Sequence, residues 1–341
     1  MEQTQSKPKA ALVLGKWKRE HIDEIYPPSV LRDLENLCDF CCHPITPDEM
    51  PAHADALAQT ELLFSGWGPP RLDRETLNRM PRLRAVFYGA GSIASLVTED
   101  FWKTDLPVCS AWGANAVPVV EYTLAQIILC LKRAHVQEAS YGKTRERDAW
   151  KAPYPLGAYG ATVGLLSLGQ IGRNVSRRLQ ALDVHVLAYD PYADSEAAAD
   201  CGCELVPLDE LFRRSNVLSV HTPRLPETEG MVTADLLRSL PSGASFINTA
   251  RGAVVDQPAL EKILAERPDL YAVLDVTDPE PLPKDSPLFD LPNVFLTPHI
   301  AGSQGRECAR MGRYMVEECA RFLQGEPLRW RITREQFQRM A

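Results

Sequence analysis

Three side chains late in the chain, Arg251, Glu280 and His299, have the types needed for proton and hydride chemistry. Interconverting an alcohol and a ketone by hydride transfer requires a group that gives or takes the hydroxyl proton near neutral pH, which histidine does best. His299 is the candidate acid/base. A carboxylate hydrogen-bonded to its other ring nitrogen fixes the tautomer and stabilises the imidazolium, a role that suits Glu280. Arg251 can bind a substrate carboxylate with two hydrogen bonds, and its charge beside a ketone would polarise the carbonyl for hydride attack. Taken singly, each has a plainer reading: Arg251 in a surface ion pair, Glu280 as solvated loop charge between prolines, His299 as a turn residue.

Short apolar runs at Thr162–Leu166, Val184–Tyr189, Val217–Val220, Ala244–Ile247, Tyr271–Leu274 and Val294–Leu296 read as six strands, most of them separated by helix-like stretches. Continuous apolar runs suit strands buried on both faces, so the expectation is a doubly wound parallel sheet covered by helices. Four of these strands end in polar clusters: His221-Thr222-Pro223, Asn248-Thr249-Ala250-Arg251-Gly252, Asp275 with Glu280 beyond it, and Thr297-Pro298-His299. Parallel strands set their carboxyl ends along one rim, where ligands of open α/β sheets bind, and convergence of these clusters is predicted there.

The first of the six strands runs into Ser167-Leu168-Gly169-Gln170-Ile171-Gly172, and Val175, Leu179 and Leu182 then begin an amphipathic helix. A dinucleotide site needs such a turn, because backbone must approach the pyrophosphate while a helix N-terminus presents free N–H groups. Ser167 stands where G-x-G-x-x-G has its first glycine. Asp190 ends the next strand 21 residues after Gly169, the place of the acid that holds the ribose hydroxyls and disfavours the extra phosphate of NADP. The plainer reading of Asp190-Pro191-Tyr192-Ala193-Asp194 is a turn.

Ahead of this lies a smaller α/β pattern through about residue 115, with strands at Ala11–Leu14, Glu61–Phe64, Ala85–Tyr88 and Pro107–Ser110, and a helical face of Val30, Leu31, Leu34 and Leu37. From Val117 to about His135 the chain reads as helix, from Tyr141 to Tyr159 as irregular connection, and from Ser303 to Leu323 as a terminal helix that could pack back on the first unit. At 341 residues, the chain exceeds the ~250–300 at which one core stops growing, which favours two domains.

With 37 basic and 45 acidic side chains, the net charge of -8 offers no broad positive surface for nucleic acid or anionic lipid. The most apolar stretch, Val117 to Leu131, contains Pro118, Glu121 and Gln126, so no membrane span is expected. The opening Met1-Glu2-Gln3-Thr4-Gln5 is unlike a secretory signal, and nine scattered cysteines suit a reducing compartment, so a cytoplasmic location is expected. Cys38 and Cys41 have C-x-x-C spacing, but no second pair follows to complete a zinc site, and Asp39 breaks a haem-attachment match at Cys42-His43. The cluster reads as a short half-buried strand, and no metal is expected.

Together, Asn248-Thr249-Ala250-Arg251-Gly252, Leu274-Asp275-Val276 with Pro279-Glu280-Pro281, and Thr297-Pro298-His299-Ile300-Ala301-Gly302 resemble the D-isomer-specific 2-hydroxyacid dehydrogenases, and Asn115-Ala116-Val117-Pro118-Val119-Val120-Glu121 resembles the start of their interdomain helix. The resemblance implies two Rossmann-like doubly wound α/β domains with a cleft between them: a substrate domain of 1–113 plus 303–341 and an NAD-binding domain of 114–302. It implies NAD as cofactor, a small 2-keto or 2-hydroxy acid as substrate, and a homodimer. His299 would be the acid/base, Glu280 its partner and Arg251 the carboxylate anchor. Cofactor contacts would come from Leu168, Gly169, Gln170, Ile171, Gly172, Asp190, Pro191, His221, Thr222, Pro223, Thr228, Thr249, Ala250, Arg251, His299 and Gly302, with Asp275 at the nicotinamide end. Tyr88-Gly89-Ala90-Gly91-Ser92 resembles the loop whose backbone N–H groups bind the substrate carboxylate, through Gly89, Ala90 and Gly91. Ser167 and Val276-Thr277-Asp278 depart from the family pattern, and the N-terminal half matches only loosely, which leaves the particular substrate open. An NAD(H)-sensing, corepressor-like protein without turnover is the alternative. A Rossmann-like methyltransferase ranks last, since it gives Arg251 and His299 no role.

Overall fold

In the computed structural model, which describes residues 6–15, 23–145 and 157–340, the apolar runs become strands of two separate sheets. The chain divides into one unit of Met1–Ala116 with Ser303–Ala341 and a second of Val117–Gly302.

The first unit opens with strands β1 (Lys9–Val13), β2 (Asp39–Phe40), β3 (Leu62–Ser65), β4 (Ala85–Tyr88) and β5 (Val108–Ser110), all parallel and ordered 2-1-3-4-5, the flavodoxin-like arrangement. Every residue of β3, β4 and β5 is buried, which is why these runs show no alternation. Phe64 and Phe87 stack at 5.1 Å between neighbouring strands, and the buried Tyr26 hydroxyl donates to Ser65 O at 2.7 Å, fixing the end of β3. The Cys38–His43 cluster contributes β2, and its cysteines are free.

The second unit holds β6 (Ala161–Leu166), β7 (Val184–Tyr189), β8 (Glu204–Leu205), β9 (Val217–Val220), β10 (Ser245–Asn248), β11 (Tyr271–Leu274) and β12 (Val294–Leu296). Among the described residues there are seven strands rather than the six read from the sequence, because β8 forms by pairing Glu204 and Leu205 with Leu187 and Ala188. All are parallel, in the order β12-β11-β10-β9-β6-β7-β8, so the direction of winding reverses between β6 and β9. Phe212, Phe246 and Leu260 belong to one of its two apolar cores, and Val163, Val175, Ile247 and Val273 to the other.

The helix Trp112–Leu131 corrects the sequence reading on one point: its 20 residues are long and apolar enough to cross a membrane by length and composition. It is nevertheless a core helix, 56% buried over its most apolar window. Val120, Ile127 and Leu131 join a core of the second unit, while Thr123 bonds Thr249 at 3.0 Å and Gln126 bonds His135 at 3.1 Å. Another helix, Ala134–Thr144, occupies the start of the stretch read as irregular connection, and residues 146–156 of that stretch lie outside the described ones.

The chain returns to the first unit at Ser303, whose N–H donates to Asn115 Oδ1 at 3.0 Å. The terminal helix Cys308–Gln324 buries Met311, Met315 and Cys319 in that unit's core. The buried Glu318 accepts the N–H groups of Arg329 and Trp330 at 3.2 and 3.1 Å and leads the chain into β13 (Arg331–Ile332), an antiparallel edge strand on β5 that the sequence did not announce.

Candidate active site

Arg251, Glu280 and His299 all follow strands of the second unit, and the structure brings them together. His299 Nδ1 lies 2.5 Å from Glu280 Oε1, with both side chains roughly half exposed, at 49% and 43%. With the ring proton on Nδ1, facing the carboxylate, Nε2 is left for exchange. Glu280 is also the charge that acts on Arg251: burial lowers the guanidinium's pKa and the carboxylate opposes that shift. Arg251 remains a cation, with Nη1 donating to Ala250 O at 2.7 Å.

Backbone close-packing puts these groups near one another. Asn248 ends β10 and clamps the next turn, accepting the Ala250 N–H and donating to Arg251 O, both at 3.0 Å. A Cβ on Gly252 would fall 2.0 Å from Thr277 C and O, so only glycine lets the Arg251 turn rest on the strand exit that leads to Glu280. Asp275 is 2% exposed and accepts from Thr297 Oγ1 at 2.6 Å, Ile300 N at 2.8 Å and Ala301 N at 2.9 Å. Its carboxylate thereby holds the turn in which His299 sits at φ 56, with the His299 N–H on Asp275 O at 3.0 Å. Tyr122 extends this network, its hydroxyl 3.0 Å from Thr297 Oγ1. Sequence reading placed Asn248 and Thr297 in the polar clusters that end β10 and β12 without giving either a role of its own, and it did not single out Tyr122.

The turn after β6 fits a dinucleotide. Gly169 caps the helix Gln170–Leu179, and a Cβ there would meet nothing within 4 Å, so the approach is open. A Cβ on Gly172 would lie 2.2 Å from Ser167 O, so glycine is needed there for the helix to pack on the turn. Ser167 takes φ 82, the left-handed conformation a glycine would occupy without strain, and thus preserves the turn although it breaks the motif. Asp190 accepts Leu168 N at 2.7 Å and Tyr192 N at 2.8 Å, anchoring the turn to the end of β7. His221 is buried beside Gly172, its two ring nitrogens without a hydrogen-bond partner, and burial pushes its pKa down to about 3, so the ring is neutral. An unpaired buried imidazole next to an open glycine turn is what a site for NAD would leave.

Other candidates are placed less directly. Thr228 turns its hydroxyl onto Pro223 O at 2.6 Å, closing its own loop, and the Thr249 hydroxyl pairs with that of Thr123. Gly89, Ala90 and Gly91 lie in the first unit, after β4. Among the described residues, no group of three or more histidine, cysteine, aspartate or glutamate side chains gathers as metal ligands.

The family profile described as D-isomer specific 2-hydroxyacid dehydrogenase, NAD binding domain, matches residues 124–301, just over half of the chain. A glyoxylate reductase of Korarchaeum cryptofilum is 32% identical over 257 residues, covering 75% of this chain and 77% of that one. An (S)-sulfolactate dehydrogenase of Chromohalobacter salexigens is 31% identical over 313 residues, covering 89% and 97%. The chain spans about half the length of the D-3-phosphoglycerate dehydrogenases it matches. The crystal structure of a phosphoglycerate oxidoreductase from Rhizobium etli shares the fold, with a TM-score of 0.80 over 96% of this chain and 99% of that one, at 21% identity.

Proposed function

Because the chain belongs to the D-isomer-specific 2-hydroxyacid dehydrogenase family, we propose that Arg251, Glu280 and His299 carry its reaction. It is an NAD-dependent oxidoreductase that interconverts a 2-keto acid and a D-2-hydroxy acid. NAD(H), when bound, accepts or supplies the hydride. In the reducing direction, the His299 imidazolium gives its Nε2 proton to the carbonyl oxygen; in the oxidising direction, neutral Nε2 takes the hydroxyl proton. Glu280, on Nδ1, keeps the ring oriented and stabilises its cationic form. Arg251 binds the substrate carboxylate, and its partial burial reduces the solvent screening of that attraction.

The loop after β4, within the first unit, offers backbone N–H groups of the kind that bind a carboxylate. Gly89 N–H is committed to Ser65 O at 2.8 Å. The Ser110 hydroxyl shares its proton between Ala90 O, at 2.9 Å, and Gly91 O, at 2.5 Å. Across a planar trans peptide, each tied carbonyl sends the next N–H the opposite way, so Gly91 and Ser92 present the donors. Nine unpaired cysteines fit a cytoplasmic enzyme, and Ile128, Leu129 and Tyr141, exposed at 40%, 37% and 59%, supply apolar surface for a homodimer.

The observation that carries this reading is the His299–Glu280 pair, with Arg251 acting on the same carboxylate. Its test is NADH consumption by the purified protein across glyoxylate, hydroxypyruvate, pyruvate, phenylpyruvate and sulfopyruvate. Turnover of one identifies the substrate, and tight NADH binding with no turnover of any 2-keto acid contradicts it.

A further inference from the structure

Resting on that cofactor assignment, we propose that Ser167, paired with Thr222, is a ligand of the cofactor's diphosphate, supplying a hydroxyl donor that glycine at this position cannot. Leu166, the last residue of β6, is in register with Val220, the last of β9, and between these strands the winding of the sheet reverses. In open α/β sheets, the crevice at such a reversal receives the dinucleotide. Ser167 and Thr222 leave the two strands there, with Ser167 Oγ and Thr222 Oγ1 2.8 Å apart, so a hydroxyl pair bridges the crevice.

The proton count leaves one O–H for a ligand. Thr222 Oγ1 also reaches Leu166 O, at a long 3.3 Å. When Thr222 donates to Leu166 O, Ser167 donates to Thr222. When Thr222 donates to Ser167 instead, only that weak bond is lost and the Ser167 proton is free for an outside acceptor, an arrangement that an anion favours. The turn also needs such a donor, because the Leu168 N–H is already taken by Asp190 Oδ2 at 2.7 Å. Gly169 leaves room for the anion on the same turn. Ser167 holds its hydroxyl there at φ 82, where a side chain is strained and glycine is not.

Binding of NADH, ADP-ribose and adenosine to wild type, Ser167→Gly and Thr222→Val, measured by calorimetry alongside thermal unfolding, tests this. Ser167→Gly should keep or raise the Tm, because glycine accepts the left-handed backbone, and should weaken NADH and ADP-ribose equally by about ten-fold while leaving adenosine unchanged. Thr222→Val, which removes the partner but keeps Ser167, should weaken NADH by a smaller factor. Ser167→Gly binding NADH as tightly as wild type overturns the proposal, as does equal weakening of adenosine, and Thr222→Val indistinguishable from wild type overturns the pairing. Wild type that binds no NADH contradicts the cofactor assignment itself, before any variant is compared.

Discussion

Ile300 donates its backbone N–H to Asp275 Oδ1 at 2.8 Å, so the turn carrying His299 hangs on a carboxylate buried at the end of β11. Thr297 and Ala301 complete the attachment. Asp275→Asn keeps the size but turns one acceptor oxygen into an NH2 facing a donor. A hydrogen bond to a charged group contributes about 1.5–3 kcal/mol, so stability should fall by that order. Misplacement of His299 by an ångström should lower kcat about 10²-fold. Urea unfolding and steady-state kinetics check both, and wild-type kcat in this variant would show that the turn holds His299 without Asp275.

Two glycines of one turn should behave oppositely. Gly172→Ala puts a Cβ 2.2 Å from Ser167 O, and such overpacking costs about 1–3 kcal/mol of stability. Gly169→Ala meets no atom within 4 Å, so its Tm should stay near wild type while its Kd for NADH rises, because the methyl occupies the diphosphate's approach. Unchanged NADH affinity in Gly169→Ala would place the cofactor elsewhere.

How much of this the sequence discloses depends on which force forms each part. Strands such as β10 and β11 are legible because Phe246, Ile247, Ala272 and Val273 are buried on both faces of the sheet, leaving uninterrupted apolar runs. The cluster Cys38–His43 already reads as the short strand that supplies β2, but the two-residue strands β8 and β13 carry no pattern; each forms because a neighbouring strand leaves an edge to pair with. The residue types of the candidate site are legible too, but their supports are not. Nothing in Ser167-Leu168-Gly169 announces φ 82, and the contact of Gly252 with Thr277 arises only once two loops from different strands meet. Asp275 suggested a cofactor contact by resemblance, whereas its bonds to Thr297, Ile300 and Ala301 exist only after β12 packs beside β11.

Asp190 serves the turn as well as the predicted ribose contact. Asp190→Ala removes the acceptor for Leu168 N and Tyr192 N, so the Kd for NADH should rise. Loss of the acid also relieves its repulsion of a 2′-phosphate, so the preference for NADH over NADPH should narrow. Kinetics with both cofactors check this, and an unchanged ratio would leave Asp190 a structural role alone.

His221 makes stability depend on pH. Its folded pKa is near 3 because of burial, against about 6.5 for an unperturbed histidine, so between these values the unfolded chain binds the extra proton. Stability is therefore greatest above about pH 6.5 and falls as pH drops, by roughly 1 kcal/mol between pH 7.5 and 5.5 from this group. His221→Leu should remove that part of the slope in urea unfolding of the protein free of cofactor. The same slope in both proteins would mean that His221 finds a partner.

The most direct test of the central claim is kcat and NADH affinity for His299→Gln, with the best 2-keto acid of the panel as substrate. If His299 Nε2 moves the proton, kcat falls by roughly 10²–10⁴ while the Kd for NADH stays within about two-fold of wild type. Wild-type turnover in that variant would contradict the assignment of His299, and with it the pairing with Glu280 as the chemical centre.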